Sequence, residues 1–414
     1  MILTHSAYLG ILLMKKLVIL SFFLGVVSPS YGEEQPFEIW LDGDFTNHLE
    51  SSQSIEMGAQ AAISDFGELK SGRKVVVIRR DHRGSSKRSL RNIKNFIGNA
   101  NGIAMMSGIH SPPLLAHREF INNSKVPFLV PWAAAGPITR GGGDENYIFR
   151  LSIDDSKAGD FISQYASRAI KSKYPCLLLE DTGWGKSNFK NMTNGFNANN
   201  VAVHRTLWFR WGIKKNVAGD LAHQLYTAKC DLVLLVANSK EGALLVKAIA
   251  GYPGQKTLPI LSHWGITGGS FHEEVSHTIR SKVNLKFIQT NFNFNQNSSQ
   301  RGKLVLETFR KKFGIKEASE IKAGTGASHA YDLTTIFLNA LNNIDQTKPS
   351  AEIRILLQKK LETLNLNYKG LIKTYQRPFG RYSVEAKDAH EALDQNDYSI
   401  GFFNEDGVIL NVGK

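Results

Sequence analysis

The residues of this chain that are best suited to chemistry or binding stand directly after short apolar segments. The clearest case is the stretch SHWGITGG, Ser262 to Gly269, which follows the apolar run LPIL. A strand is predicted to end there, with an imidazole, an indole and three glycines at its tip. Such a tip has three interpretations: a catalytic loop, the lining of a ligand cleft, or packing without function. Because a tryptophan is costly to leave in water unless it covers something, the stretch is a candidate binding segment.

Sequence patterns typical of catalysis are absent. The chain has no G-x-S-x-G nucleophile elbow, no H-E-x-x-H motif and no phosphate-binding P-loop. The glycine run Gly141-Gly142-Gly143 is a turn without a following Lys-Ser/Thr. His110 and His263 have no carboxylate at the spacing that metal ligands require. The sequence therefore predicts neither an enzyme nor a cofactor nor a metal site.

The apolar segments alternate with helical patterns, which predicts an α/β fold. FEIWL, KVVVI, GIAMM, PFLVP and YIFRLS are predicted strands, and the series restarts with CLLLE, VAVHRTLWF, CDLVLLV, TLPIL and LKFIQT. These strands are apolar almost throughout, so both faces of each sheet must be covered, as in parallel sheets with crossover helices. We therefore expect two lobes in series, each a doubly wound parallel sheet. The C-terminal YSIGFFNEDGVIL is a predicted hairpin.

In parallel α/β sheets, ligands bind outside the carboxyl ends of the strands. Applied to this chain, the rule selects as ligand-binding candidates Asp42, Asp44, His110, Ser111, Trp132, Ala133, Ala134, Asp181, Trp184 and Trp264. The alternatives stay open. The tryptophans could be core packing, Ser111 could cap the helix that begins near Pro112, and the aspartates could order their own turns. Trp208 and Trp211 are expected to pack within the second lobe.

Composition and charge fit a globular protein. The chain has 414 residues, enough for two domains, with 42% hydrophobic and 21% charged residues. The net charge is +13, but Lys and Arg are scattered without a long basic block. This pattern is typical of a solvated surface, and we expect no nucleic-acid partner.

The N-terminus has the pattern of a secretory signal. Met14-Lys15-Lys16 is a short basic region, LVILSFFLGVV is an apolar core of eleven residues, and SPSYG puts small residues before Glu33. Residues 1–32 are therefore a predicted signal peptide, cleaved after Gly32, and the mature protein is expected in the periplasm. Export permits a disulfide between Cys176 and Cys230, but each adjoins an apolar strand, so we favour inert buried thiols.

Taken in order, several segments resemble the type I periplasmic substrate-binding proteins, the leucine/isoleucine/valine-binding family of ABC importers. The matching segments are GAQAAI, VVVIRRDHRGS, SGIHS, VPFLVPWAAAGPIT, YIFRLSIDD, EDTGWGKSNF and ASHAYDLT. The resemblance spans roughly Phe37 to Leu410 and implies two lobes joined by three crossovers. The first lobe would comprise residues 37–150 plus about 291–380, and the second about 154–289 plus 385–412.

The resemblance also implies a site between the lobes. Ser111 matches the serine that holds the ligand carboxylate in the amino-acid binders of this family, whereas Ala134 stands where a second hydroxyl is usual. Trp184 matches the aromatic residue that covers the ligand. Trp264 stands where an acid usually pairs with the ligand ammonium, and Asp42 or Asp44 could replace that acid.

The family implies a protein that captures a small ligand and delivers it to an ABC permease. A ligand-presenting subunit of a membrane sensor is the alternative. We expect an amino-acid-like or aromatic, apolar ligand, in a divergent branch of the family.

Overall fold

The structure is a computed structural model that describes residues 35–412 except 142, 144, 255, 256, 297 and 298. The predicted signal peptide lies outside the described residues. Among the helices of the described part, none is long and apolar enough to cross a membrane.

Two parallel sheets carry the fold, as the short apolar runs predict. The first has the strand order β2-β1-β3-β4-β5, and its strands are β1 (Phe37–Gly43), β2 (Val75–Asp81), β3 (Gly102–Ser107), β4 (Phe128–Val130) and β5 (Ile148–Arg150). The second has the order β14-β13-β10-β9-β8-β6-β7. Its parallel strands are β6 (Pro175–Glu180), β7 (Arg205–Phe209), β8 (Leu232–Val236), β9 (Ile260–Ser262) and β10 (Lys286–Thr290). The strands β11 (Tyr368–Lys369) and β12 (Thr374–Tyr375) form a separate two-stranded ribbon. They are followed by the antiparallel C-terminal hairpin of β13 (Tyr398–Phe403) and β14 (Ile409–Asn411). The hairpin extends the second sheet because β13 pairs with β10.

Helices follow most strands and cover both faces of each sheet. They are α1 (Leu49–Phe66), α2 (Ser86–Ile97), α3 (Ser111–Asn123), α4 (Asp155–Gln164), α5 (Gly183–Ala198), α6 (Lys215–Thr227), α7 (Ser239–Ala250), α8 (Phe271–Glu274), α9 (His277–Lys282), α10 (Gln300–Phe313), α11 (Gly324–Leu341) and α12 (Ser350–Thr363). Side chains at several N-termini accept hydrogen bonds from free backbone N–H groups, as Ser85 does at α2 and Thr182 at α5. Buried aliphatic and aromatic side chains between sheet and helices form the core.

The late helices return to the first sheet. Helix α11 packs closely on α1 because Gly58 lacks a side chain: a Cβ there would lie 2.1 Å from the carbonyl oxygen of Ala327. The chain thus passes from the first sheet to the second after β5, back after β10, and again before β13. We call the part built on the first sheet the first lobe, and the part built on the second sheet the second lobe.

The interpretation of the two cysteines as free thiols is wrong. Cys176 and Cys230 form a disulfide with their Cα atoms 5.8 Å apart. The reason is the strand order: β6 and β8 are neighbours, with Pro175 opposite Leu232, so the starts of these strands lie side by side. Spacing along the chain, 54 residues, carries no hint of this proximity.

Candidate functional site

The two lobes meet at the carboxyl ends of their strands. The backbone N–H of Gly136 in the first lobe donates to the Ser187 hydroxyl in the second, at 3.1 Å. Gly183 at the start of α5 lies against Leu115 of α3, where a Cβ would come within 2.5 Å of a leucine methyl group. The cleft is therefore closed in this structure, and most of the side chains between the lobes are buried.

An aromatic cluster, Trp132, Trp184, His263, Trp264 and His329, forms one part of the contact between the lobes. The Trp264 ring lies 5.6 Å from that of Trp132 and 5.2 Å from that of His329, measured between centroids. The Trp184 ring meets His263 edge-on at 5.1 Å. The three indoles expose between 0% and 6% of their surface. Trp132 and His329 come from the first lobe and the other three residues from the second, so the cluster joins the lobes.

Glycines allow this packing. At Gly265 a Cβ would lie 2.4 Å from the carbonyl oxygen of Ala237 and 2.7 Å from the Trp184 ring. At Gly185 it would lie 1.8 Å from the carbonyl oxygen of Glu180. The glycines that follow Trp184 and Trp264 are therefore required for close backbone approach, and at Gly265 also for the contact with the Trp184 indole. This explains why a glycine follows Trp264 at the end of β9.

Buried polar groups border the aromatic cluster. The Trp184 indole N–H donates to Asp155 Oδ1 at 3.3 Å, and His263 Nε2 lies 3.0 Å from the same oxygen. His263 Nδ1 accepts from the backbone N–H of Trp264 at 3.0 Å, so Nε2 carries the ring proton. The contact of Nε2 with Asp155 is poorly aligned for a hydrogen bond, and Asp155 Oδ2 has no partner among the described residues. This carboxylate can still accept a hydrogen bond.

His329 supports Trp264 from the first lobe. Its ring nitrogens lie 3.0 Å from the carbonyl oxygen of Pro131 and 2.9 Å from the hydroxyl of Thr290. Burial lowers the pKa of His329 to about 3, so the ring is neutral at physiological pH. His329 therefore packs beside the Trp264 indole without adding a charge to the aromatic cluster.

A second group, the histidine cluster, consists of Asp44, His48, His82 and His110 in the first lobe. Asp44 and His48 follow β1, His82 follows β2, and His110 follows β3; because β1 lies between β2 and β3, the strand ends bring them together. His110 Nε2 lies 3.2 Å from Asp44 Oδ2. The His110 ring lies 5.0 Å from that of His48 and 5.7 Å from that of His82.

Burial and charge set the protonation states in the histidine cluster. Burial lowers the pKa of His48 to about 3, assisted by the neighbouring His110. Burial also lowers the pKa of His82. Burial alone would raise the pKa of Asp44, but hydrogen bonds from His110 and Asn47 outweigh it and hold that pKa well below its ordinary value. Asp44 is therefore ionised, and His48 and His82 are neutral.

Trp211 of the second lobe covers the histidine cluster. Its ring lies 4.9 Å from that of His110. Its N–H donates to Glu180 Oε2 at 3.0 Å, and Asn238 Nδ2 donates to the same oxygen at 3.3 Å. Burial raises the pKa of Glu180 to about 7. The expectation that Trp211 packs within the second lobe is wrong, because its ring reaches across the cleft; Trp208 does pack there, against Phe189.

The other predicted binding residues have varied surroundings. Ser111, the first residue of α3, accepts from the backbone N–H of Ala135 at 3.2 Å. Ala133 and Ala134 are buried beside Trp132. Asp42 accepts hydrogen bonds from Ser89 and Asn92, both in α2. Asp181 is 39% exposed, lies near Lys186 and Arg210, and contacts neither cluster.

Several cleft residues are not among the ligand-binding residues predicted from the sequence. They are His48, His82, Asp155, Glu180, Trp211 and His329. A signal was available for His82 and Glu180, which stand at the predicted carboxyl ends of strands. His329 lies inside a helix and Asp155 at the start of one, so the strand-end rule does not reach them.

The fold and the facing strand ends define a two-lobe binding protein of type I. The chain belongs to the periplasmic binding protein family, which matches residues 42–394, and the resemblance seen in the sequence is thereby confirmed. Family membership implies a solute-binding role and a location outside the cytoplasm. A search of curated proteins found none that matches this chain.

Solved structures share the fold at low sequence identity. A type 1 periplasmic binding protein of Bordetella pertussis has 15% identity and a TM-score of 0.73, with 91% of this chain and 100% of that chain covered. A branched-chain amino acid substrate-binding protein of Streptococcus pneumoniae, in complex with isoleucine, has 19% identity and a TM-score of 0.69, with 91% and 100% covered. An ABC transporter solute-binding protein of Rhodopseudomonas palustris, in complex with p-hydroxybenzoic acid, has 14% identity and a TM-score of 0.74, with 92% and 96% covered.

Proposed function

We propose that this protein is exported, captures a small solute between its two closing lobes, and delivers it to an ABC importer. The observation that carries the proposal is the aromatic cluster, in which Trp132 of the first lobe meets Trp264 of the second at the facing strand ends. Opening the cleft would separate these indoles and expose them to water. A solute with a flat or apolar part would restore their burial and so favour closure. We assign residues 37–150 and about 291–380 to the first lobe, and about 154–289 and 385–412 to the second.

The polar groups around the cluster narrow the chemistry of the solute. Ser111 begins α3, where free backbone N–H groups favour an anionic group such as a carboxylate. Asp155 Oδ2 is buried and can accept from a hydroxyl or amino group. Trp264 stands at the position where the amino-acid binders of the family that the sequence resembles have an acid for the ligand ammonium, so an aromatic ring faces the solute there instead of a charge. An amino-acid-like or aromatic carboxylic acid combines these features, and two of the structural relatives hold isoleucine and p-hydroxybenzoic acid.

Mass spectrometry of small molecules released from the purified, denatured protein tests this proposal. Calorimetric titration of those molecules, and of isoleucine and p-hydroxybenzoate, then gives affinities. Trp184→Phe keeps an aromatic ring and removes the indole N–H that bonds Asp155. We expect it to weaken binding about tenfold, while Trp208→Phe, on the outside of the second lobe, leaves affinity unchanged. Failure of any released or added small molecule to saturate the protein would defeat the proposal.

Export is tested separately. The signal pattern predicts that the exported protein begins at Glu33. N-terminal sequencing of protein from the periplasmic fraction checks this, and an intact leader on that protein would contradict it.

A further inference from the structure

The histidine cluster contains side chains of the kind that bind metal ions, and solute binding at the aromatic cluster gives them no role. One ligand atom from each of Asp44, His48 and His110 lies within 4.8 Å of the other two. We propose that these three residues bind a divalent transition-metal ion of the zinc type. This site is separate from the aromatic cluster, and it does not depend on which solute the protein carries.

The geometry is close to that of a metal site. In tetrahedral zinc sites the bonds to nitrogen and oxygen are about 2.0–2.2 Å, which puts neighbouring ligand atoms about 3.3–3.5 Å apart. Asp44 Oδ2 and His110 Nε2 are already 3.2 Å apart. His48 is partly buried, and in the described part of the chain neither of its ring nitrogens forms a hydrogen bond. A small rotation of the His48 side chain would bring a nitrogen to the ion.

The surroundings hold the ligands in place. Asp44 Oδ1 accepts from the backbone N–H of Asn47 at 2.8 Å, and Oδ2, which faces His110, also accepts from the Asn47 side-chain amide at 3.1 Å. These bonds fix the carboxylate. His82 packs beside His110, and its Nδ1 accepts from the backbone N–H of Gly84 at 3.0 Å. Such supporting contacts orient ligands in metal sites. The positive charge of Lys240 also acts on His48, but the negative charge of the Asp44 carboxylate has the larger effect there.

A packing interpretation explains less. An aspartate bonded to one histidine would suffice as a structural pair, yet the cluster adds His48, whose imidazole has no hydrogen-bonding partner among the described residues. Two imidazoles and one carboxylate favour zinc, nickel, copper or iron over magnesium and calcium, which prefer oxygen ligands. Three protein ligands also leave a coordination position for water.

Lobe closure would cover the ion. The Trp211 ring lies 4.9 Å from that of His110, tilted by 45°, and its indole N–H donates to Glu180. An ion entering the open cleft would therefore be shielded when the second lobe closes. In this arrangement the Trp211 indole couples ion binding to lobe closure, because it covers the site only when the lobes are closed.

Titration of Zn²⁺ into the chelator-treated mature protein tests the site. Calorimetry should show one saturable site, and His48→Gln should weaken it at least about tenfold, since even partners behind the ligands change affinity by that much. The matched control is His277→Gln, an exposed histidine of α9. It should bind Zn²⁺ as the wild type does, and Mg²⁺ should not compete. Metal-free melting curves establish that the variants are folded.

Several results would overturn the proposal. They are the lack of saturable Zn²⁺ binding by the wild type, equal affinity in His48→Gln, and equal losses in His48→Gln and His277→Gln. A second readout is quenching of tryptophan fluorescence by Ni²⁺, which should largely disappear in Trp211→Phe. Because no solute is added, a failure of Zn²⁺ to bind does not bear on the proposal that the protein binds a solute. Likewise, a failure of solute binding does not bear on the proposed metal site.

Discussion

A single tryptophan, Trp264, joins the two lobes and at the same time belongs to the core. It is fully buried, and its ring lies 5.6 Å from that of Trp132 and 5.2 Å from that of His329. The interpretations of the SHWG segment as cleft lining and as packing are therefore compatible for this residue. A tryptophan in this position must be tested for stability before it is tested for binding.

We expect Trp264→Ala to lower the free energy of unfolding by about 3–5 kcal/mol, the usual loss for a large aromatic residue removed from a core. The control is Trp208→Ala, because Trp208 is 38% exposed; its loss should be about 1 kcal/mol. Urea denaturation of both variants measures the difference. Equal losses would show that Trp264 is not packed as described.

The buried carboxyl group of Glu180 predicts a pH dependence of stability. Burial, with a contribution from the negative charges of the nearby Glu241 and Asp155, raises its pKa from 4.5 to about 7. Hydrogen bonds from Thr182 and Trp211 lower the pKa but do not outweigh burial. The folded state therefore holds a proton that the unfolded state loses, and the contribution of Glu180 is fully present below pH 4.5 and lost as the pH rises to 7. A shift of 2.5 units corresponds to a loss of at most about 3 kcal/mol.

Glu180→Gln removes the titrating group. We expect the free energy of unfolding of the wild type to fall more steeply between pH 4.5 and 7 than that of the variant. Denaturation at several pH values gives both slopes, so any constant cost of the substitution cancels. Identical slopes would show that the pKa of Glu180 is the same in the folded and the unfolded protein.

At the level of elements, the helices of the first lobe depend on one close crossing. We expect Gly58→Ala to lower stability by about 1–3 kcal/mol or more, since the new methyl group would overlap the carbonyl oxygen of Ala327 in α11. The control is Gly219→Ala in α6, where a Cβ meets nothing within 4 Å. That change should stabilise the protein by up to about 1 kcal/mol. Thermal melts compare the two, and the same sign for both would contradict the crossing.

The disulfide fixes the start of β6 beside the start of β8. Replacing Cys176 and Cys230 together by serine should lower stability by about 4 kcal/mol, because a bridge spanning 54 residues restricts the unfolded chain. Reduced wild-type protein should unfold at the same denaturant concentration as the double variant. A double variant as stable as the oxidised protein would exclude a structural bridge.

The sequence predicts the individual strands well, but it does not predict which strands lie next to one another in a sheet. Runs such as FEIWL and GIAMM identify β1 and β3, because a strand buried on both faces is apolar throughout. The histidine cluster and the disulfide depend instead on which strands are adjacent, and this order is not local information. Trp132, Trp184 and Trp264 could be selected because they stand at strand ends or beside them. Trp211 was misjudged because its partner, His110, lies in the other lobe.

For the molecule as a whole, the closed cleft implies an open form. A fully buried Trp264 gives a solute no path to the aromatic cluster unless the lobes separate. The contacts that must break include the ring contacts of Trp264 with Trp132 and His329 and of Trp211 with His110. They also include the hydrogen bonds from Gly136 to Ser187 and from Ser270 to Glu50, and the ion pair of Lys322 with Glu273. The three chain crossings between the lobes are the segments at which a hinge motion can occur.

We therefore expect the solute-free protein to populate open forms and the solute to shift it toward the closed form. Small-angle scattering should show a smaller radius of gyration at saturating concentrations of the molecules released from the purified protein. Ser187→Arg is the control, since a long charged side chain opposite Gly136 obstructs closure where the lobes touch. Its radius should stay near the solute-free value of the wild type, and its affinity should fall, because the open form lacks half of the aromatic cluster. An unchanged wild-type radius with bound solute would mean that solute enters without lobe motion. That result is incompatible with a binding site at the buried Trp264.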